Sequence, residues 1–275
     1  MGLRGASRAA FRRRARISWI HFRQLEDDLS KGVGGNVADE VGAVSPHLDD
    51  LALSCASFLA TRPGSHMVTA FAGGPRTVDP LPDWDADSGA FLPGADVVGE
   101  RRHEDLLASA TLGASSHHLD HWDWQYRDPT YGYEGPTKRR ELANRISGDL
   151  ASLVDVLELD TWVIPLGLVH PDHQATATGC LIVAGSRPEI DWLVYEDLPY
   201  AQVFPSEMER ATERFLEQGF MLSPALGLEF EIPIDDPIKR RAIECYRSQL
   251  GPLREGVDLA IMTPERIHRL VRVHD

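Results

Sequence analysis

Two short polar segments carry the residue types that do chemistry. Ser45-Pro46-His47-Leu48-Asp49-Asp50 follows one brief apolar run, and His170-Pro171-Asp172-His173 follows another that ends near Leu166. In each segment a histidine and a second metal-ligating type stand three residues apart, where an extended run gives way to a helical pattern. At that spacing two side chains share one helix face. His47 and Asp50 can therefore converge on one point, with His173 approaching from the other segment. Two imidazoles and a carboxylate form a facial set for a divalent cation, with positions left for water and substrate. Asp49 points to a different side from Asp50 and stays available as a base, and His170 stays beside the set to donate to an oxyanion or protonate a leaving amine. The constellation describes metal-assisted hydrolysis of an amide or related bond. Either segment alone is weak, because an aspartate between strand and helix also serves as an N-cap, a role open to Asp49, Asp50 and Asp172.

Such residues need elements to position them. Apolar runs at Val41–Val44, His66–Ala72, His117–Asp120, Trp162–Pro165 and Asp191–Tyr195 read as strands, and Leu228–Ile232 alternates as a half-exposed one. Helical spacing covers Leu51–Leu59, Glu100–Leu112, Lys138–Leu157, Asp172–Ser186, Pro205–Gln218 and Ile238–Leu250, with Gly113 at a C-cap position. This alternation predicts an α/β fold with a largely parallel sheet, where ligands bind beyond the carboxyl ends of the strands. One domain over 38–275 is expected, its part beyond about residue 200 forming a cap or sheet extension. Residues 1–37, which include Arg4, Arg8, Arg12, Arg13, Arg14 and Arg16, are expected to be an N-terminal extension, possibly flexible.

Composition narrows the class. The 275 residues carry a net charge of −14, which argues against a nucleic-acid binder, since phosphate contacts need a basic face. No apolar run approaches the roughly 18 residues of a membrane span. Cys55, Cys180 and Cys245 are too few and too scattered for a disulfide framework, which fits a reducing cytoplasm. The stretch 75–97 holds six Gly or Pro and five Asp, the composition of a surface loop or lid, with Trp84 and Phe91 among the acids. Asp123, Tyr126 and Arg127 follow the third strand and are candidates to line a pocket, Arg127 for an anionic substrate group or for a salt bridge. Trp122 and Trp124 suit stacking on a sugar ring or simple burial. Glu196 and Asp197 end a strand near the same sheet edge and suit partners of a ligand histidine. His66, His103, His117, His118 and His121 read as ordinary packed or surface histidines, the strand alternation sending His117 and His118 to opposite faces.

The HLDD and HPDH segments resemble the two signature motifs of the PIG-L/LmbE-like zinc-dependent N-deacetylases. The segments ERRHEDLLASATLGA (100–114), LDHWDWQYR (119–127) and VYEDLPYA (194–201) add to the likeness, which spans roughly residues 40–250. The family's first motif is most often HPDDE; here Leu48 replaces the proline and Leu51 the glutamate, while the ligand and base positions are intact. The resemblance implies a Rossmann-like sheet flanked by helices and one divalent cation, usually Zn2+. By motif match it implies His47, Asp50 and His173 as ligands and Asp49 as general base. His170 would stabilise the oxyanion or act as acid, with Asp172 tuning it. The implied substrates are small-molecule N-acetylamino-sugar conjugates, including antibiotic and thiol-cofactor precursors, deacetylated to acetate and a free amine. A metallohydrolase of another acyl or ester bond, and a catalytically silent carbohydrate-binding relative, remain alternatives. The sequence does not specify the sugar, the native cation or the oligomeric state.

Overall fold

The structure, a computed structural model, describes residues 39–127, 135–226 and 234–273. The expected N-terminal extension and the expected strand at Leu228–Ile232 lie outside the described residues.

The architecture is α/β, a mostly parallel Rossmann-like sheet flanked by helices. The chain runs β1 (Gly42–Ser45), α1 (Asp50–Ala60), β2 (His66–Thr69), α2 (Asp83–Ser88), α3 (Val97–Leu112) and β3 (Ser115–His118). It continues through a short 3-10 turn (Trp124–Tyr126), α4 (Pro136–Leu157), β4 (Thr161–Pro165), α5 (Pro171–Ser186) and β5 (Asp191–Tyr195). The C-terminal part adds α6 (Tyr200–Val203), α7 (Ser206–Glu217), β6 (Phe220–Ala225), α8 (Pro237–Glu244), α9 (Arg247–Leu253), α10 (Glu255–Met262) and β7 (Ile267–Arg272). Among the described residues the sheet order is β3-β2-β1-β4-β5-β7-β6, parallel from β3 to β5 and antiparallel where β7 joins β5 and β6.

The order reverses between β1 and β4. Successive strands step outward on one side from β1 to β3 and on the other from β4 to β5, so the loops after β1 and β4 diverge and leave a crevice. Both polar segments of the sequence open onto that crevice. The central strands are short and buried on both faces, as GAVS and TWVIP require. Close packing fixes their spacing: a Cβ on Gly42 would come within 2.5 Å of the Trp162 ring, and the buried Tyr195 hydroxyl donates to the Val44 carbonyl at 3.0 Å.

Three expectations change in detail. The 75–97 segment is mostly exposed, as a surface loop should be, but it carries α2, whose Asp85 is fully buried. The expected helix at Ile238–Leu250 is two helices. Tyr246 leaves helical geometry (φ −87°, ψ 59°) so that its buried hydroxyl can donate to Asp105 Oδ1 at 2.7 Å. The part beyond residue 200 includes a sheet extension, the antiparallel pair β6–β7, whose two strands were not anticipated because FMLSPA and IHRLVR lack the dense apolar run of the inner strands. Among the described residues no helix is long and apolar enough to cross a membrane.

Candidate metal centre and active site

The loop after β1 turns tightly. Ser45 Oγ donates to the His47 carbonyl at 2.5 Å and accepts the Leu51 N–H at 3.3 Å, which folds Pro46–Asp49 back over the strand end. Asp50 Oδ2 accepts the His47 backbone N–H at 2.7 Å. The buried Leu48 and Leu51 anchor the turn in the core.

The loop after β4 is as constrained. Gly167 has φ +80°, and a Cβ there would meet the His173 carbonyl at 2.9 Å, so the loop crosses the first turn of α5 at backbone contact. Val169 also has a left-handed φ of 54°, and the His170 N–H bonds the Leu168 carbonyl in a three-residue turn. His170 is the N-cap of α5, its Nδ1 accepting the Asp172 N–H at 3.2 Å, with Pro171 at the first helical position.

These loops bring the predicted residues together. Asp50 Oδ2 lies 3.4 Å from His47 Nδ1 and 3.2 Å from His173 Nε2. Ligand atoms bound tetrahedrally at ~2.0–2.1 Å are separated by roughly 3.3 Å, so each ring nitrogen stands at a ligand-like distance from the Asp50 oxygen, although these three residues are not among the sets whose ligand atoms all lie within 4.8 Å of one another. The remote ring nitrogens are held by carboxylates. His173 Nδ1 faces Asp197 Oδ1 at 2.6 Å, and Asp197 Oδ2 accepts the Gly167 N–H at 2.9 Å. His47 Nε2 faces Asp172 Oδ2 at 3.2 Å. Carboxylates in these places select the tautomers that direct His47 Nδ1 and His173 Nε2 towards Asp50.

Two triples do have ligand atoms all within 4.8 Å of one another, namely His47, His170, His173 and His47, Asp123, Asp172. The second is already committed: Asp123 pairs with Arg101 Nη1 at 3.1 Å and Asp172 pairs with Arg127. In the first, the His170 ring lies 4.9 Å from His47 and 5.6 Å from His173, against 5.2 Å between His47 and His173.

The electrostatics separate the roles. Burial opposes charge on Asp50, but His173 and His47 hold it well below the usual carboxylate range. Burial likewise disfavours charge on His173, yet Asp50 and Asp197 raise it to about 9 in the cation-free protein. Asp49 behaves in the opposite way. Burial, then the neighbouring Asp50 charge, pushes it up to about 6 against the opposing pull of Arg101, His47 and its own backbone N–H, and its side chain makes no hydrogen bond that caps α1. His170 is pushed down to about 3 by burial and by the His47 and His173 imidazoles. It is therefore neutral near pH 7, and because Nδ1 accepts a backbone N–H, Nε2 carries the proton and can donate.

The remaining predictions divide. Asp172 is fully buried; its carboxylate bonds His47, the Trp124 N–H and Arg127, its backbone N–H bonds His170 Nδ1, and its charge also acts on the His170 ring, so it faces both histidines. The Trp124 ring lies edge-on to His170 at 6.2 Å. The Tyr126 hydroxyl donates to Asp85 Oδ2 at 2.7 Å and so is turned towards α2. Glu196 pairs with His268, leaving Asp197 alone as the histidine's partner. Arg101 and Tyr200 were missed. Arg101 is buried on α3, four residues before the buried Asp105, a polar pair at core spacing that the helical period exposes. The Tyr200 ring packs edge-on to His173 at 5.2 Å and follows the strand that supplies Asp197.

No protein-family model matches the chain, and no curated protein matches it in sequence. Solved structures do. The chain is similar to the deacetylase–bog complex of the teicoplanin biosynthesis pathway, at 27% identity and a TM-score of 0.73, covering 86% of this chain and 99% of that one. The zinc-inhibited form of teicoplanin deacetylase matches at 27% identity and a TM-score of 0.70 over the same shares. These neighbours are deacetylases. The N,N′-diacetylchitobiose deacetylase from Pyrococcus horikoshii, at 16% identity, a TM-score of 0.51 and 86% and 84% coverage, shares the fold.

Proposed function

We propose that this protein is a metal-dependent N-deacetylase of the PIG-L/LmbE-like type. It removes the acetyl (or acyl) group from an amino sugar carried on a larger small molecule, releasing acetate and a free amine. The deacetylase identity of the neighbours at 27% identity supports amide hydrolysis, and their teicoplanin substrate supports an antibiotic-borne sugar. The observation that carries the reading is Asp49. A buried acid that makes no capping hydrogen bond, raised to about 6 beside His47, Asp50 and His173, suits a general base better than a structural cap.

His47 Nδ1, Asp50 Oδ2 and His173 Nε2 would hold the cation, zinc or another divalent ion. When bound, it would polarise the acyl oxygen and acidify water at neutral pH. Asp49 takes a proton from the attacking water at its carboxylate. His170, neutral and protonated on Nε2, donates to the oxygen where negative charge gathers. Asp172 and Asp197 hold the two ligand imidazoles in place. A carbohydrate-binding relative without catalysis has no use for a buried acid raised to about 6, which favours the enzyme reading.

The test is acetate release from a panel of N-acetylglucosaminyl conjugates, including teicoplanin-type glycopeptides and aminoglycoside precursors, by the zinc-loaded chain. Ester and other N-acyl substrates belong in the same panel. No acetate and no acyl release from any of them would remove the proposal.

A further inference from the structure

Arg127 was a candidate for contacting an anionic substrate group, but its surroundings assign it elsewhere. Its Nη2 pairs with Asp172 Oδ1, and its Nη1 donates to the Trp122 carbonyl at 3.2 Å. The guanidinium lies over the Phe71 ring at 5.1 Å and near the Trp124 ring at 5.7 Å. Phe71 also flanks the His47 ring at 5.8 Å. Arg127 is thus anchored by a carboxylate, a carbonyl and two aromatic faces.

Its partner is the more constrained group. Asp172 is fully buried, and it divides its two oxygens: Oδ1 takes Arg127, while Oδ2 takes the Trp124 N–H at 3.1 Å and His47 Nε2 at 3.2 Å. The plane of a carboxylate is fixed when both oxygens are held, and a planar guanidinium is suited to hold one of them. An Asp172 so fixed accepts the His47 Nε2–H and leaves Nδ1 unprotonated, turned towards Asp50. The same 3-10 turn supplies the Trp124 N–H and leads into Arg127, so one short segment clamps the carboxylate from two sides.

We infer that Arg127 is a positioning residue for the metal centre: through Asp172 it orients His47 and sets the ring nitrogen that faces the cation. This rests on the metal-dependent reading above and goes beyond it, because it assigns the WQYR segment to ligand geometry.

Zn2+ affinity of the full chain, measured by competition with a chromophoric chelator, tests it. Arg127→Met is expected to weaken Zn2+ binding about 10- to 100-fold, the size of effect that loss of an outer hydrogen-bonding partner produces. Arg127→Lys, which keeps the charge without the planar fork, should recover part of it. The Arg127→Met/Asp172→Asn double variant should be no weaker than the worse single one, as expected of residues acting in one chain. Lost turnover should return at raised Zn2+ with KM for the sugar unchanged, and nitrogen NMR of zinc-loaded wild type should show His47 protonated on Nε2. Wild-type Zn2+ affinity in Arg127→Met, with a raised KM, overturns the inference and makes Arg127 a substrate contact. If Arg127→Met does not fold, wild-type Zn2+ affinity in both Arg127→Lys and Asp172→Asn overturns it as well. A wild-type chain that takes up no divalent cation removes the metal-dependent reading and this inference together, a result distinct from the others.

Discussion

His47, His170 and His173 gather beyond the carboxyl ends of β1 and β4, whereas His66, His117 and His118 gather along β2 and β3. The second group also holds a close pair, with His66 Nδ1 only 2.8 Å from His117 Nε2. Its rings, however, satisfy one another, and His118 turns away to Asp105 Oδ2 at 2.8 Å. Among the described residues no third ligand joins the His66–His117 pair. Burial and the neighbouring imidazoles push His117 below its ordinary value. His47 goes the other way: burial is outweighed there by Asp123, Asp172 and Asp50. A hydrolytic cation site of the kind proposed needs at least three converging ligands, and it needs an acid beside them to act as base. Histidine density alone supplies neither.

The sharpest way to break this contrast is to remove a ligand. His173→Ala is expected to abolish stoichiometric zinc binding and with it all turnover, read by metal analysis and acetate release; retained zinc would place the cation elsewhere. Asp49→Asn should keep zinc while kcat falls about 10²- to 10⁴-fold, the usual contribution of a general base. Full activity in that variant removes Asp49 from the mechanism. His170→Ala should lower kcat about 10²- to 10³-fold with zinc affinity little changed, the loss expected of one donor to an oxyanion. Less drastically, kcat/KM of the wild type should rise with pH through a limb at or below about 6, because Asp49 works deprotonated and a bound cation lowers its pKa further. Asp49→Asn should lack that limb. At the small end, His117→Ala should leave both zinc affinity and kcat at wild-type values; a loss in either would mean that the second cluster is coupled to the first.

The sequence was informative where local spacing and chemistry coincide. Short buried strands, the helices between them and the two polar segments at strand ends follow from period and punctuation, as Asp191–Tyr195 and the helix from Pro171 show. It was least informative at the C-terminal side. Tyr246 breaks a regular helical pattern to reach Asp105, 141 residues away, and no local propensity encodes that bond. The 75–97 segment reads as loop by composition, yet Asp85 is buried because Tyr126 and Gln125 meet it there.

Residue type and three-residue spacing therefore determined which side chains are able to bind a cation and on which strand ends they stand. The fold decided the rest: the reversal of strand order between β1 and β4 brings segments 120 residues apart into one crevice. It also decides which carboxylate holds which ring, giving Asp172 to His47 and Asp197 to His173. Those partnerships depend on distance through space and on the burial that makes each unpaired charge costly, neither of which is a property of neighbouring residues in the chain.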